Sequence, residues 1–314
     1  MSDRFTRVPD LSRGEWLRPM EDERLGSILS IVPPGFEAYA RVLHPVERDR
    51  PRNTGSWLGV DQTTHFAGVD DIGGAIETEL ATWTQASVPF GTTVHAEAQY
   101  ARLVRRGYGD ADTVIAADGW RYSNPREGVL DAATLATASA VLARHTETPD
   151  AGIAAIWDGW GGLLNSVLLE EADGLAFDDR VAGVDLRAVH PPDPHVGSGI
   201  LSPEISSGPL FDLHGHTGRH YVLFEAGATD FADVAWPERA PWVDHVMWAH
   251  SPNILWPDDH AWLLATEIDF DSTLIAGSTA LIRELVQTPG LEVLPIRTDA
   301  DLSWDGDRLN RPPV

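Results

Sequence analysis

Val189-His-Pro-Pro-Asp-Pro-His-Val-Gly-Ser-Gly-Ile-Leu-Ser-Pro-Glu-Ile-Ser-Ser-Gly208 is the stretch on which the choice of fold class turns. Proline removes a backbone donor and fixes φ, and glycine adds freedom, so a segment rich in both reads as a long irregular connection. A doubly wound parallel sheet joins its strands through compact helical crossovers and has little use for such a connection. Working outward, residues 118–128 also read as irregular, and 48–52 (Arg-Asp-Arg-Pro-Arg) as an exposed loop. Between 236 and 262 five tryptophans are interleaved with Pro237, Pro241, Pro252 and Pro257.

Strand-like runs fall at 27–32, 39–44, 152–157, 220–225, 262–269 and 291–296. Helical spacing marks Ile72, Ile76, Leu80 and Trp83, behind Asp70 and Asp71 as caps. It also marks an alanine- and arginine-rich segment at 93–106 stopped by Gly107, an alanine-rich segment at 130–145, and Leu274, Leu281, Ile282 and Leu285 before Pro289-Gly290. Helices and strands intermix without regular alternation. The expected fold is α+β: a mixed, mainly antiparallel sheet with flanking helices and long Pro/Trp-rich connections. The 314 residues are read as one domain with insertions, the places where lobes would divide being 118–128 and 189–208.

Composition removes whole classes of chemistry. The absence of cysteine excludes disulfides, thiolate metal sites and thiol nucleophiles. All 23 basic residues are arginine, so there is no Schiff-base lysine and no P-loop lysine. A net charge of −25 repels phosphate backbones and argues against a nucleic-acid partner. It suits either plain solubility or steering toward a basic protein, as an inhibitor or immunity protein would use. No apolar run reaches membrane-spanning length, and the charged first eighteen residues do not read as a signal peptide; the expected location is the cytoplasm.

Three clusters are candidates for chemistry. In Asp212-Leu-His214-Gly-His216-Thr-Gly-Arg-His220, histidines two apart share one side of an extended chain and a third completes a facial metal site. Its spacing resembles the first cupin motif from Gly208 to Gly227, with His220 standing where that motif has glutamate; no second motif follows. The alternative is a β-hairpin turning at 215–218. In Glu267-Ile-Asp269-Phe-Asp271, alternating carboxylates suit a hard divalent cation or divided acid–base work. The structural alternative has Glu267 and Asp269 facing solvent and Asp271 or Ser272 capping a following helix. The turn Trp157-Asp-Gly-Trp-Gly-Gly162 departs from a dinucleotide fingerprint at Leu164 and reads as tight packing. No G-x-S-x-G is present. Of the aromatic segment, Trp242, Trp248 and Trp256 are the candidate partner-facing or sugar-stacking rings, against burial as the alternative.

Three segments together resemble a family of uncharacterised actinobacterial, high-GC proteins. They are Val32-Pro-Pro-Gly-Phe-Glu-Ala-Tyr-Ala-Arg-Val-Leu-His-Pro-Val46, then His145-Thr-Glu-Thr-Pro149 with Trp157-Asp-Gly-Trp-Gly161, then Ser251-Pro-Asn-Ile-Leu-Trp-Pro-Asp-Asp-His260 with Ala265-Thr-Glu-Ile-Asp-Phe-Asp-Ser-Thr273. The resemblance implies lineage and cytoplasmic location and carries no catalytic residue. The function expected from sequence is a non-catalytic acidic binding or regulatory protein of immunity-like type, with no cofactor. The rival is a metal-dependent enzyme, cupin-like or hydrolytic, built on the histidine cluster.

Overall fold

The computed structural model describes residues 4–18, 20, 24, 26–60, 72–107, 111–165, 197–215 and 219–311. Two antiparallel sheets and several helices give the α+β class expected. The large sheet has the order β12-β1-β11-β10-β9-β6-β8-β7. Its strands are β1 (Ala38–Leu43), β6 (Gly152–Trp157), β7 (Phe211–Asp212), β8 (His220–Glu225), β9 (Ile254–Pro257), β10 (Leu263–Ala265), β11 (Ser272–Gly277) and β12 (Val293–Ile296). The small sheet, β3-β2-β5-β4, holds β2 (Val46–Pro51), β3 (Ile76–Ala81), β4 (Thr113–Ile115) and β5 (Arg121–Ser123).

Both faces of the large sheet are covered, which is why β6 reads as a continuous apolar run rather than an alternating one and why every residue of β11 is buried. Because successive side chains alternate, Ala40, Val42, Ala154, Ile156, Val222 and Phe224 pack with the helices Ala132–Leu142 and Thr279–Gln287. Tyr39, Ile153, Ala155, Tyr221 and Leu223 face the other way, onto Leu17, Ile28 and Phe211. Both long helices start on side-chain caps: Asp131 accepts from the amides of Ala133 and Thr134, and Ser278 accepts from Leu281. The first strand of each sheet is joined to the other by His44-Pro45 alone, so the sheets meet at this corner.

Several sequence expectations are corrected. Residues 76–81 form β3, not helix: Glu77 and Glu79 lie opposite Arg50 and Arg48 of β2 and pair with them, while Leu80 points to solvent. Those cross-strand pairs override a chance helical spacing. The segment 93–106 contains only the single turn Tyr100–Leu103. The carbonyls of Ala96 and Ala98 accept from a buried guanidinium and the Gln99 amide donates to Asp307, so tertiary partners hold backbone groups a helix would have used. Residues 28–30 are a 3-10 turn instead of a strand, and Leu274 lies in β11 rather than the last helix. Asp271 and Ser272 therefore cap nothing; Ser278 does. The stretch 118–128 includes β5, paired on both sides. Of 189–208, residues 189–196 lie outside the described residues, as do the expected caps Asp70 and Asp71.

Candidate functional site

Parts of the three segments quoted above come together at one end of the large sheet, where His44 meets Thr273 and the Trp157 amide meets Asn253, while 146–147 bond Asp259 at the other end. Arg41, on the β1 face opposite Ala40, is 1% exposed. Its Nε donates to Ser272 Oγ (2.7 Å), its Nη1 to the carbonyls of Ala96 and Ala98 (3.1 and 2.7 Å) and its Nη2 to Asp271 Oδ1 (2.9 Å). Burial pushes the Asp271 carboxyl up, and Arg41 opposes that shift. A planar fork with fixed donors suits four acceptors in this arrangement; a lysine would not reach them.

Three residues on, His44 is equally enclosed. Its Nδ1 lies 2.6 Å from the Arg126 carbonyl and so carries the proton, leaving Nε2 to accept from Thr273 Oγ1 at 2.9 Å. Thr273 Oγ1 in turn lies 2.7 Å from Thr266 Oγ1. Burial lowers His44 to about 4, so the ring is neutral. A histidine beside a hydroxyl would suit nucleophilic catalysis, but His44, Thr273 and Thr266 are all out of reach of solvent; the chain ties β1 to the corner between sheets.

The Trp157–Trp160 turn is held by Asn253. Its Oδ1 accepts from the Trp157 amide (2.9 Å) and from Trp160 Nε1 (3.2 Å), and its Nδ2 donates to the Thr266 carbonyl (3.4 Å). His250 stacks on Trp160 with ring centroids 4.0 Å apart, and burial lowers it to about 4. Asn253→Ala leaves two buried donors unpaired and is expected to cost about 2–3 kcal/mol of stability, read from a urea denaturation midpoint. A cost below half a kcal/mol would remove Asn253 as the organiser of this turn.

The two titratable clusters singled out in the sequence sit side by side. Arg219 Nη2 reaches Glu267 Oε1 (2.9 Å) and Asp269 Oδ2 (3.2 Å), with its guanidinium 5.8 Å from the Trp157 ring centre. Glu267 is 8% exposed, not solvent-facing, and burial raises its carboxyl. Next to Arg219, His220 lies between Asp158 (3.7 Å) and Asp212 (3.8 Å). Phe211–Asp212 and His220–Glu225 are indeed a hairpin. His214 turns elsewhere, its Nε2 donating to the Ser30 carbonyl at 2.8 Å. His216 lies outside the described residues. Among the described residues no three His, Asp or Glu side chains are grouped so as to hold a metal ion. Asp271 is parted from Glu267 and Asp269, facing Arg41 instead of Arg219.

Beside Asp271 opens a cleft of about 340 Å³, walled by Tyr100, Asp112, Glu127, Phe270, Asp271 and Trp304. A shallower groove of about 830 Å³ runs between the helix Thr279–Gln287 and the sheet edge at β12, where Pro295 offers no amide for another strand to use. Sequence reasoning missed the cleft, whose walls come from six separate parts of the chain, and it missed Arg41, whose only local signal was a charge inside an apolar strand.

No family model, curated protein or solved structure matches the chain. What it does must therefore be argued from its own surface.

Of the three tryptophans expected to face a partner, Trp242 and Trp256 are each 1% exposed. That expectation is corrected for both. Trp242 packs its ring 5.2 Å from Phe5 and 4.8 Å from Phe224 and donates to the His250 carbonyl, and Trp256 lies in the sheet core. Trp242 pins an irregular connection that lacks ladder hydrogen bonds, whereas Trp256 belongs to β9 and is laddered to β6. Trp248 alone of the three is open, at 66%, beside the exposed Val246 and Met247.

Proposed function

We propose that this protein is a non-catalytic binding or regulatory protein of immunity-like type, acting on a basic protein partner. The observation that carries the reading is the exposed run Val246-Met247-Trp248 on a 3-10 turn, a contiguous apolar projection on a chain of net charge −25. Isolated exposed apolar residues need no explanation, but three in a row including tryptophan and methionine have the composition of an interface anchor. The turn is fixed at its start by His245, whose Nδ1 accepts from the Met247 amide, so it is presented pre-formed. Asp244 precedes it, and the wider surface is strongly acidic, which steers a basic partner and sets the on-rate while the apolar anchor limits dissociation. An actinobacterial lineage and a cytoplasmic location belong to the same proposal; they rest on the three resembling segments.

The test is partner identification by cross-linking in the source cell, followed by binding measurements with the purified partner. Trp248→Ala is expected to weaken binding by about tenfold to a hundredfold with the melting temperature unchanged, and raised salt to slow association. A partner bound equally well by Trp248→Ala, or one that is acidic and indifferent to salt, would overturn the reading.

A further inference from the structure

We infer that the groove between the helix Thr279–Gln287 and the sheet edge at β12 binds a linear aliphatic carboxylate, with Arg283 taking the head group and an apolar lining taking the tail. Two observations carry this. The first is the lining itself. Phe36, Ala38, Ile282, Val286, Pro295 and Ile296 border a space of about 830 Å³, within the size range of small-molecule sites. Its walls are tied together, so the groove exists before any ligand enters. Glu37 Oε2 accepts from the Thr279 amide at 3.0 Å, joining the lead-in to β1 to the start of the helix. Phe36 stands edge-on to Trp16 and Tyr39, with ring centres 6.4 and 6.2 Å away. Leu281 and Leu285 turn into the core and are fully buried, whereas Val286 remains 41% exposed. Ile282 and Val286, one turn apart, therefore carry the helix's apolar face out into the groove.

The second observation is the charge left over. Glu37, Arg283, Arg297 and Asp299 line the groove. Glu37 is engaged by the Thr279 amide, and Arg297 and Asp299 hold each other through hydrogen bonds of 2.8 and 2.9 Å. Arg283 has neither a hydrogen bond nor an ion pair among the described residues. It lies one turn beyond Thr279 and three residues before Val286, on the flank of the helix that borders the groove. The unmatched charge of the groove is therefore positive, on a chain of net charge −25. A guanidinium takes a carboxylate through two parallel hydrogen bonds, and the neighbouring Ile282 and Val286 offer an alkyl chain burial without asking it for polar partners. An added strand is disfavoured because Pro295 lacks the amide that edge pairing would use. A polyanion is disfavoured because one cation faces it while the rest of the chain repels it. That same repulsion means that saturable binding of an anion cannot arise from general attraction to the surface.

The site stands apart from the proposed function, since it can be titrated without any protein partner. The experiment is calorimetric titration of the whole chain with octanoate, with acetate and a short N-acetylated peptide ending in leucine as parallel arms. Octanoate is expected to bind saturably at one site and acetate not to bind. Arg283→Gln should weaken octanoate about tenfold, and Val286→Asp, which removes apolar surface and adds a like charge, by more. Both positions are exposed, so the melting temperatures of these variants should match that of the parent. Arg308→Gln, which removes the same charge from exposed surface elsewhere, is expected to leave binding unchanged. No saturable binding of octanoate, or equal weakening by Arg283→Gln and Arg308→Gln, overturns the site. Acetate bound as tightly as octanoate would overturn the role of the apolar lining. Tighter binding of the peptide would overturn the aliphatic assignment in favour of a peptide C-terminus. Trp248→Ala is expected to leave the titration intact, so failure of the proposed function and failure of this site are read separately.

Discussion

Arg41→Ala is expected to destabilise the protein by about 3–5 kcal/mol, the largest loss of any single substitution discussed. The physical reason is what stays behind. Removing the guanidinium leaves Asp271 as a buried carboxylate without its counter-ion, and leaves Ser272 Oγ and the carbonyls of Ala96 and Ala98 short of a donor. Because those carbonyls belong to the chain between Phe90 and Tyr100, local loosening of that segment should accompany the loss. Arg41→Lys restores the charge but not the fork, and is expected to recover only part of the stability. Arg41→Ala/Asp271→Ala should cost clearly less than the two single changes added together, since each partner's removal strands the other. Urea midpoints at neutral pH measure the parent and all four variants. A loss under about 1 kcal/mol for Arg41→Ala would mean that water, not protein, satisfies this corner.

Acidification should destabilise the fold well before its paired carboxylates titrate. His44 is held at about 4 by burial, while in the unfolded chain it returns to its ordinary value of 6.5. Between those limits the unfolded state binds the proton and the folded state does not. Stability from this group is therefore complete above about pH 6.5 and is lost as the pH falls toward 4. A difference of that size corresponds to about 3 kcal/mol at 1.36 kcal/mol per unit. His250, lowered to about 4 beside Trp160, acts in the same direction but is less enclosed and should add less. His44→Gln keeps a donor for the Arg126 carbonyl and an acceptor for Thr273 while removing the titration. The check is the slope of unfolding free energy against pH from 6.5 to 4.5. It should be shallower in His44→Gln than in the parent; equal slopes would show that His44 is reached by protons without unfolding.

The candidate site was partly legible and partly not. The segments around Asn253, Thr266, Thr273 and the Trp157–Trp160 turn could be picked out as distinctive, and Glu267 and Asp269 proved to share a cation. Their partners could not be read. Arg41 meets Asp271 across 230 residues, and Arg219 meets Glu267 across 48, pairings that no local spacing encodes. The tryptophans illustrate the same limit: composition marks Trp242, Trp248 and Trp256 alike, and only the packing of Phe5 and Phe224 around Trp242 separates it from the open Trp248.

Local chemistry decided what the chain could read for itself. Asp131 sets the start of an alanine-rich helix, and continuous apolar runs set β1, β6, β8 and the adjoining hairpin. Proline and glycine rule out a regular alternation of strand and helix, which leaves the α+β class. Those features are legible because caps, periodicity and turn residues act over a few positions. Tertiary structure decided the rest. Residues 76–81 became a strand because Arg48 and Arg50 lie opposite their glutamates, and 96–99 stayed unwound because Arg41 and Asp307 took their backbone groups. Burial, helped by the nearby Arg41 and Arg126 charges, then fixed the neutral state of His44. Dielectric and contact are properties of the folded neighbourhood, so a sequence names the titratable groups while only the fold assigns them work.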